Sequence, residues 1–131
     1  IKEGDEVITT PYTFYATRYD YLRVAKAILD DWKNDTCVGK YLKKLAKNKI
    51  PKKRYKEKKK GYRFSSKSYA GQFYLDYLDL EGRNIFGLDG YGGQTILIDF
   101  DESRIIVINT VHTDYNFKRL VLDVLKNGRI K

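Results

Sequence analysis

The densest chemical signal in this sequence is Gly87-Leu88-Asp89-Gly90-Tyr91-Gly92-Gly93. Glycines this crowded serve either a tight turn that needs positive φ or a backbone that must come very close to a ligand. The pattern leaves both readings open. The order is neither G-x-G-x-x-G nor the Walker spacing, and the run leads into an apolar, strand-like segment rather than a helix N-terminus. A phosphate cradle is therefore excluded. Ser65-Ser66-Lys67-Ser68 places hydroxyls beside an amine, but the S-x-x-K spacing that puts a serine and its lysine on one helical face occurs nowhere in the chain. His112, the single histidine, falls between a strand and a helix cap and reads as a surface or packing residue. Carboxylates crowd at Asp76, Asp79 and Glu81 and again at Asp99, Asp101 and Glu102; neither set follows the EF-hand order of ligands, so both read as solvated turn residues. No metal or cofactor is expected. Cys37 is the only cysteine, which excludes an internal disulfide and a cysteine metal cluster.

The charge is as localised as the glycine. The chain carries +9 overall, yet Lys40 to Lys60 holds twelve basic residues against one acidic residue, Glu57, so the rest of the molecule is slightly acidic. The densest part, a lysine-rich loop over 49–61, contains Lys52, Lys53, Arg54, Lys56, Lys58, Lys59 and Lys60 between Pro51 and Gly61. Such runs are usually solvated. Their functional reading is a strip for a polyanion, nucleic acid or anionic lipid, with Tyr55 and Tyr62 interleaved. Lysine outnumbers arginine here and no RNP-type motif is present, so any binding would lack sequence preference, and nucleic acid is the less favoured partner.

These segments need elements to hold them. Tyr21, Leu22, Ala25, Ile28, Leu29 and Trp32 fall on one face of a helix predicted from Arg18 to about Lys33, opened by a capping box of Thr17 and Asp20. A shorter helix is predicted from Thr36 to about Lys47, with Gly39 a weakness in it. Strands are predicted over Gln72–Leu78, Asn84–Phe86, Gln94–Phe100 and Arg104–Thr110, the last two joined by Asp101-Glu102-Ser103. The runs Ile96–Ile98 and Ile105–Ile108 are continuous rather than alternating, which calls for cover on both faces of the sheet. One cover is a helix from about Tyr115 to Lys126, capped by Thr113 or Asp114 and stopped by Asn127-Gly128, with the Arg18 helix beside it. The fold class expected is α/β of the α+β type: an antiparallel sheet of three to four strands with packed N- and C-terminal helices. No segment has the length and apolarity of a membrane-spanning helix. The chain contains no methionine and opens on Ile1, which reads as a processed chain or a fragment whose sheet edges ask for partners.

Two segments, in order, carry a resemblance. Phe14 to Leu29 resembles the "ysTarDlarf…ll" helix of the serine beta-lactamase-like, or penicillin-binding-protein-like, hydrolases, a family that includes class C beta-lactamases, DD-peptidases and related esterases. Phe86 to Thr110 is similar to that family's C-terminal block, in which a strand ending in a His-x-Gly or Lys-x-Gly motif passes through a glycine turn into a long antiparallel hairpin. Tyr69-Ala70-Gly71-Gln72-Phe73 resembles the preceding "YGyGw" strand.

The resemblance implies that residues 1–131 are the C-terminal portion of one beta-lactamase-like domain, acting on a small ester or amide through an acyl-enzyme. The serine nucleophile would lie in a missing N-terminal part of the same chain. It also suggests a bacterial periplasm or cell envelope. The Tyr91 backbone amide, just after Gly90, would be the oxyanion donor, and Leu88, Asp89 and Tyr91 would line the substrate. Leu88 stands where the family carries a cationic or imidazole side chain; an aliphatic group donates nothing to a substrate carboxylate, which argues against a penicillin-type substrate. Two alternatives remain: a catalytically inactive beta-lactamase-like binding protein, and a basic module for nucleic acid or a membrane surface.

Overall fold

The computed structural model describes residues 16–51, 66–77, 80, 82–90, 92–109 and 115–128. Helix α1, Arg18–Lys33, starts where its capping box predicts: the Thr17 hydroxyl oxygen accepts from the Asp20 amide at 3.3 Å, and Asp20 Oδ2 accepts from the Thr17 amide at 3.1 Å. The Thr17 hydroxyl and backbone, with Arg23 at 2.7 Å, hold the Asp20 carboxyl below the usual carboxylate range. Helix α2, Cys37–Lys47, follows after Asp35, whose φ of +52° turns the chain back. Thr36 caps α2 by accepting from the Gly39 amide at 3.1 Å, while its hydroxyl donates to Asp31 Oδ1 at 2.7 Å.

Gly39 is a contact and not merely a weak point in the helix. A Cβ there would run into the backbone carbonyl of Asp31, so the missing side chain sets how closely α2 approaches α1. Gly39→Ala would improve helix propensity by about 1 kcal/mol. It would also overpack a backbone contact, which costs about 1–3 kcal/mol. The collision is with backbone, so the second effect should prevail, and a lower urea midpoint with unchanged m-value is the expected result.

Six strands, β1 (Ile50–Pro51), β2 (Ser66–Ala70), β3 (Phe73–Tyr77), β4 (Ile85–Asp89), β5 (Thr95–Asp99) and β6 (Arg104–Ile108), form one antiparallel sheet in sequence order. The last helix is α3, Phe117–Asn127. The class is α+β, as expected, but the sheet has six strands rather than three to four. The two additional strands come from segments without an apolar pattern: β1 uses the first residues of the expected lysine loop, and β2 is Ser-Lys-Ser-Tyr-Ala. Pro51 is tolerated because β1 is an edge. Tyr69 to Phe73 is not one strand. Gly71 and Gln72 have φ of +53° and +72°, the two left-handed positions of a tight hairpin turn between β2 and β3. Strand β4 runs three residues beyond the expected Phe86.

Both faces are covered, as the continuous apolar runs required, but by different helices. Ala25, Leu29 and Leu42 of α1 and α2 pack with Ala70, Leu75, Phe86, Ile98 and Phe100, where Trp32 stacks on Phe100 at 4.2 Å. Val121 and Leu125 of α3 pack on the opposite face with Tyr77, Ile85, Leu97 and Ile106. The expected placement of α1 beside α3 is therefore corrected: the strands alternate apolar residues to both sides, and each side needs its own helix. Helix α3 begins after Asn116, whose side chain accepts from the Arg119 amide at 3.0 Å, rather than after Thr113 or Asp114, which lie outside the described residues along with His112. It ends on Gly128 at φ +72°, the stop expected from Asn127-Gly128.

Asp99 corrects a second expectation. It is fully buried, not a solvated turn residue: Oδ1 accepts from the amides of Asp101 and Glu102, each at 3.2 Å, and Oδ2 is paired with Arg83. Arg83 and Arg104 both donate to the Leu125 carbonyl, placing two guanidiniums at the negative end of α3. Asp101 and Glu102 are exposed as expected, and Asp79 and Glu81 lie outside the described residues.

Asp76 is likewise no solvated turn residue: it lies within β3, half-buried and bonded to Lys49 at 2.5 Å. Burial pushes its carboxyl up, but hydrogen bonds from Lys49 and Ser68 and the charges of Lys49 and Lys67 outweigh it, so the net shift is downward. A depressed carboxyl contributes stability above its unfolded value, near 3.9, and loses it as pH falls through the folded value. Asp76→Asn, which keeps a residue tolerant of the left-handed φ of +55°, should lower the melting temperature at pH 7. Its deficit against the wild type should shrink below about pH 4. A deficit independent of pH would show that the carboxylate charge is not what Lys49 recognises.

Candidate functional site: the turn between β4 and β5

The site begins with a change of parity in β3. Phe73 and Leu75 face the α1/α2 core, and simple alternation would send Tyr77 there as well. The positive φ at Asp76 interrupts the alternation, and Tyr77 emerges in the core beneath α3. Its phenol then lies across Gly87 of β4, occupying the space a Cβ would need. A glycine that reads from sequence as part of a turn is thus a strand residue pared down to let a ring pass. Burial first, then the charge of Asp89 and the proximity of Tyr74, push the Tyr77 phenol well above its ordinary pKa. Tyr77 therefore remains protonated and is suited to donate a hydrogen bond, not to act as a base.

Beyond Gly87, Leu88 pairs in register with Ile96 and Asp89 with Thr95. Successive strand residues face opposite sides, so the half-buried Leu88 goes with Phe86 and Ile96 toward α1 and α2, and Asp89 goes with Thr95 toward α3. Of the three residues expected to line the substrate, Leu88 and Asp89 thus lie on opposite faces of the sheet. The Thr95 hydroxyl, itself buried, donates to Asp89 Oδ1 at 3.0 Å and fixes the exposed carboxylate.

The reversal is closed from within. The Gly90 amide donates to the Gln94 carbonyl at 2.8 Å and the Gly93 amide to the Gly90 carbonyl at 3.1 Å. Gly93, at φ +101°, supplies the left-handed step, and its carbonyl accepts from the Tyr115 hydroxyl at 3.3 Å. The Gln94 side chain lies over the turn, so that a Cβ on Gly90 would sit 2.6 Å from Gln94 Oε1 and one on Gly92 2.7 Å from Gln94 Nε2. The close approach these glycines permit is thus, at least in part, an approach to the chain's own amide. The Gly90 N–H is spent inside the turn.

No protein-family model, curated protein or solved structure matches this chain. What the turn can do therefore follows from its own atoms. It presents a braced reversal with exposed Gly90 and Asp89 at the rim of the sheet, backed by Tyr77, Thr95 and Tyr115. Tyr91, the expected oxyanion donor, lies outside the described residues, as do Lys52, Lys53, Arg54, Lys56, Lys58, Lys59 and Lys60. Among the described residues, no three histidine, cysteine, aspartate or glutamate side chains are grouped to hold a metal, and no helix is long and apolar enough to cross a membrane. Sequence reasoning missed Tyr77, Gln94, Thr95 and Tyr115. Only Thr95 carried a local signal, as the register partner of a polar residue on the neighbouring strand.

Proposed function

We propose that this chain is the C-terminal portion of a serine hydrolase resembling the beta-lactamase-like family, and that the turn from Gly90 to Gln94 forms one wall of its acyl-binding cleft. In this reading a serine elsewhere in the full-length protein attacks an ester or amide carbonyl to give an acyl-enzyme, and the Tyr91 amide donates to the carbonyl oxygen as it becomes negative.

The observation that carries the reading is the internal bracing of the turn. An oxyanion donor is effective because it is held in place before the reaction, so that no reorganisation is needed when charge develops. Here the Gly90–Gln94 and Gly93–Gly90 hydrogen bonds, the Thr95–Asp89 contact and the Tyr115 hydroxyl on Gly93 hold the reversal on both sides of residue 91. The inward placement of Leu88 also bears on substrate choice. The side chain on the α3 side of the strand end is Asp89, an anion, which disfavours a carboxylate-bearing substrate such as a penicillin and favours a neutral or cationic ester or amide.

The test is to treat the full-length protein with a fluorescent phosphonate, a chromogenic short-chain ester and a chromogenic cephalosporin. Covalent labelling and ester turnover are expected, with the cephalosporin much the poorer substrate. Absence of labelling and of turnover would reject the hydrolase reading in favour of a catalytically inactive scaffold.

A further inference from the structure

The outward face of α2 has no part in the turn or its chemistry. Lys40, Lys44 and Lys47 are exposed and fall within about 60° of arc at 100° per residue. Lys43 lies at the margin of this face, bonded to Asp35 at 2.7 Å and 5.6 Å above the Trp32 ring. The helix contains no acidic residue and no arginine. Beside Lys44 on the helix surface, Tyr41 is 54% exposed.

We infer that this face docks on an anionic lipid surface, with Lys40, Lys44 and Lys47 over the headgroups and Tyr41 at the interface. The charge is of one sign and carried by flexible point charges, which suit a diffuse negative surface and lack the fork that reads bases. Tyrosine, apolar along its ring and polar at its tip, suits the headgroup level. Its hydroxyl end lies beside the β2–β3 turn at Gly71, so the ring rests along the protein surface. A nucleic-acid strand would ask instead for successive aromatic platforms, and this face has one. The inference does not depend on the hydrolase reading.

The test is flotation of the full-length protein with phosphatidylcholine vesicles, with and without about one third phosphatidylserine. Binding is expected only with the anionic lipid, and it should weaken at least tenfold between about 50 and 200 mM salt. Replacing Lys40, Lys44 and Lys47 together by glutamine should reduce affinity about 100-fold, since each lysine near such a surface contributes about fivefold. All three side chains are exposed, so the variant should stay folded, with the melt lowered only slightly by the loss of Lys44 and Lys47 from the last turn of α2. Tyr41→Ala should weaken binding to a similar degree at low and high salt. The inference is overturned if the triple variant binds as the wild type does, if only replacement of Lys52 to Lys60 abolishes binding, or if single-stranded DNA binds more tightly than the vesicles at equal salt.

Discussion

Asp99→Ala is expected to destabilise the protein by about 3 kcal/mol, the lower end of what removing one partner of a buried ion pair costs. The carboxylate is fully buried and joins three parts of the fold: β4's entry through Arg83, the β5–β6 turn through the amides of Asp101 and Glu102, and α3 through the guanidinium that also meets Leu125. Alanine leaves two amides without their acceptor and a cation without its anion. The cost stays at the lower end because Arg83 is 24% exposed and retains the Leu125 carbonyl, so water and the helix end take up part of its charge. Asp99→Asn keeps an oxygen for the two amides and loses the charge, and should cost about 1.5 kcal/mol, nearer the value of one charge-assisted hydrogen bond. Urea unfolding of the two variants separates the contributions. Equal losses would mean that the pairing with Arg83 carries the effect and that the two amides add little.

Asp99 also shows why part of the fold was legible and part was not. Helix α1 and the end of α3 were readable because their signals are local: Thr17 with Asp20 at one end of a 3.6-residue pattern, and Gly128 at the left-handed stop of another. The β5–β6 hairpin was readable because two apolar runs flank a short polar turn. Nothing within a few residues of Asp99 distinguishes it from Asp101, since its partner Arg83 arrives from sixteen positions earlier in the chain. Strand β2 fails for a related reason. Ser66 and Ser68 are buried in pairing with Tyr77 and Leu75, so the residues that make them strand-like belong to β3. The lysines before β2 dominate any local reading and conceal a pairing between Ile50 and Tyr69 that closes across them. At the candidate site the glycines were visible, but what fills their space was not. Tyr77 reaches Gly87 only because the chain takes an unusual step at Asp76, and Gln94 folds back over Gly90 and Gly92. A glycine cluster reports that something comes close; which atoms do so is decided by tertiary structure.

If the Tyr91 amide is the oxyanion donor proposed above, Tyr91→Pro in the full-length protein lowers kcat for ester hydrolysis by about 10²–10³-fold, the effect of deleting one such donor. Proline removes the backbone N–H, which no side-chain substitution does. Tyr91→Ala keeps that N–H and should hold kcat within about threefold of the wild type, with any loss appearing mainly in KM, because uniform substrate binding and transition-state binding separate in this way. The flanking hydrogen bonds make the comparison interpretable. The Gly90 and Gly93 amides are already committed to Gln94 and Gly90, so neither is expected to take over when residue 91 loses its donor. Tyr115→Phe provides an intermediate case: it removes the hydroxyl that braces the Gly93 carbonyl while leaving every amide in place, and a smaller fall in kcat, about tenfold, would register a less well-held turn. If alanine is as damaging as proline, the side chain of Tyr91 matters and its amide does not, and the wall of the cleft would act by contact with substrate rather than by stabilising charge. If neither substitution changes kcat while phosphonate labelling persists, the oxyanion is held elsewhere in the protein and the β4–β5 turn serves only to end two strands.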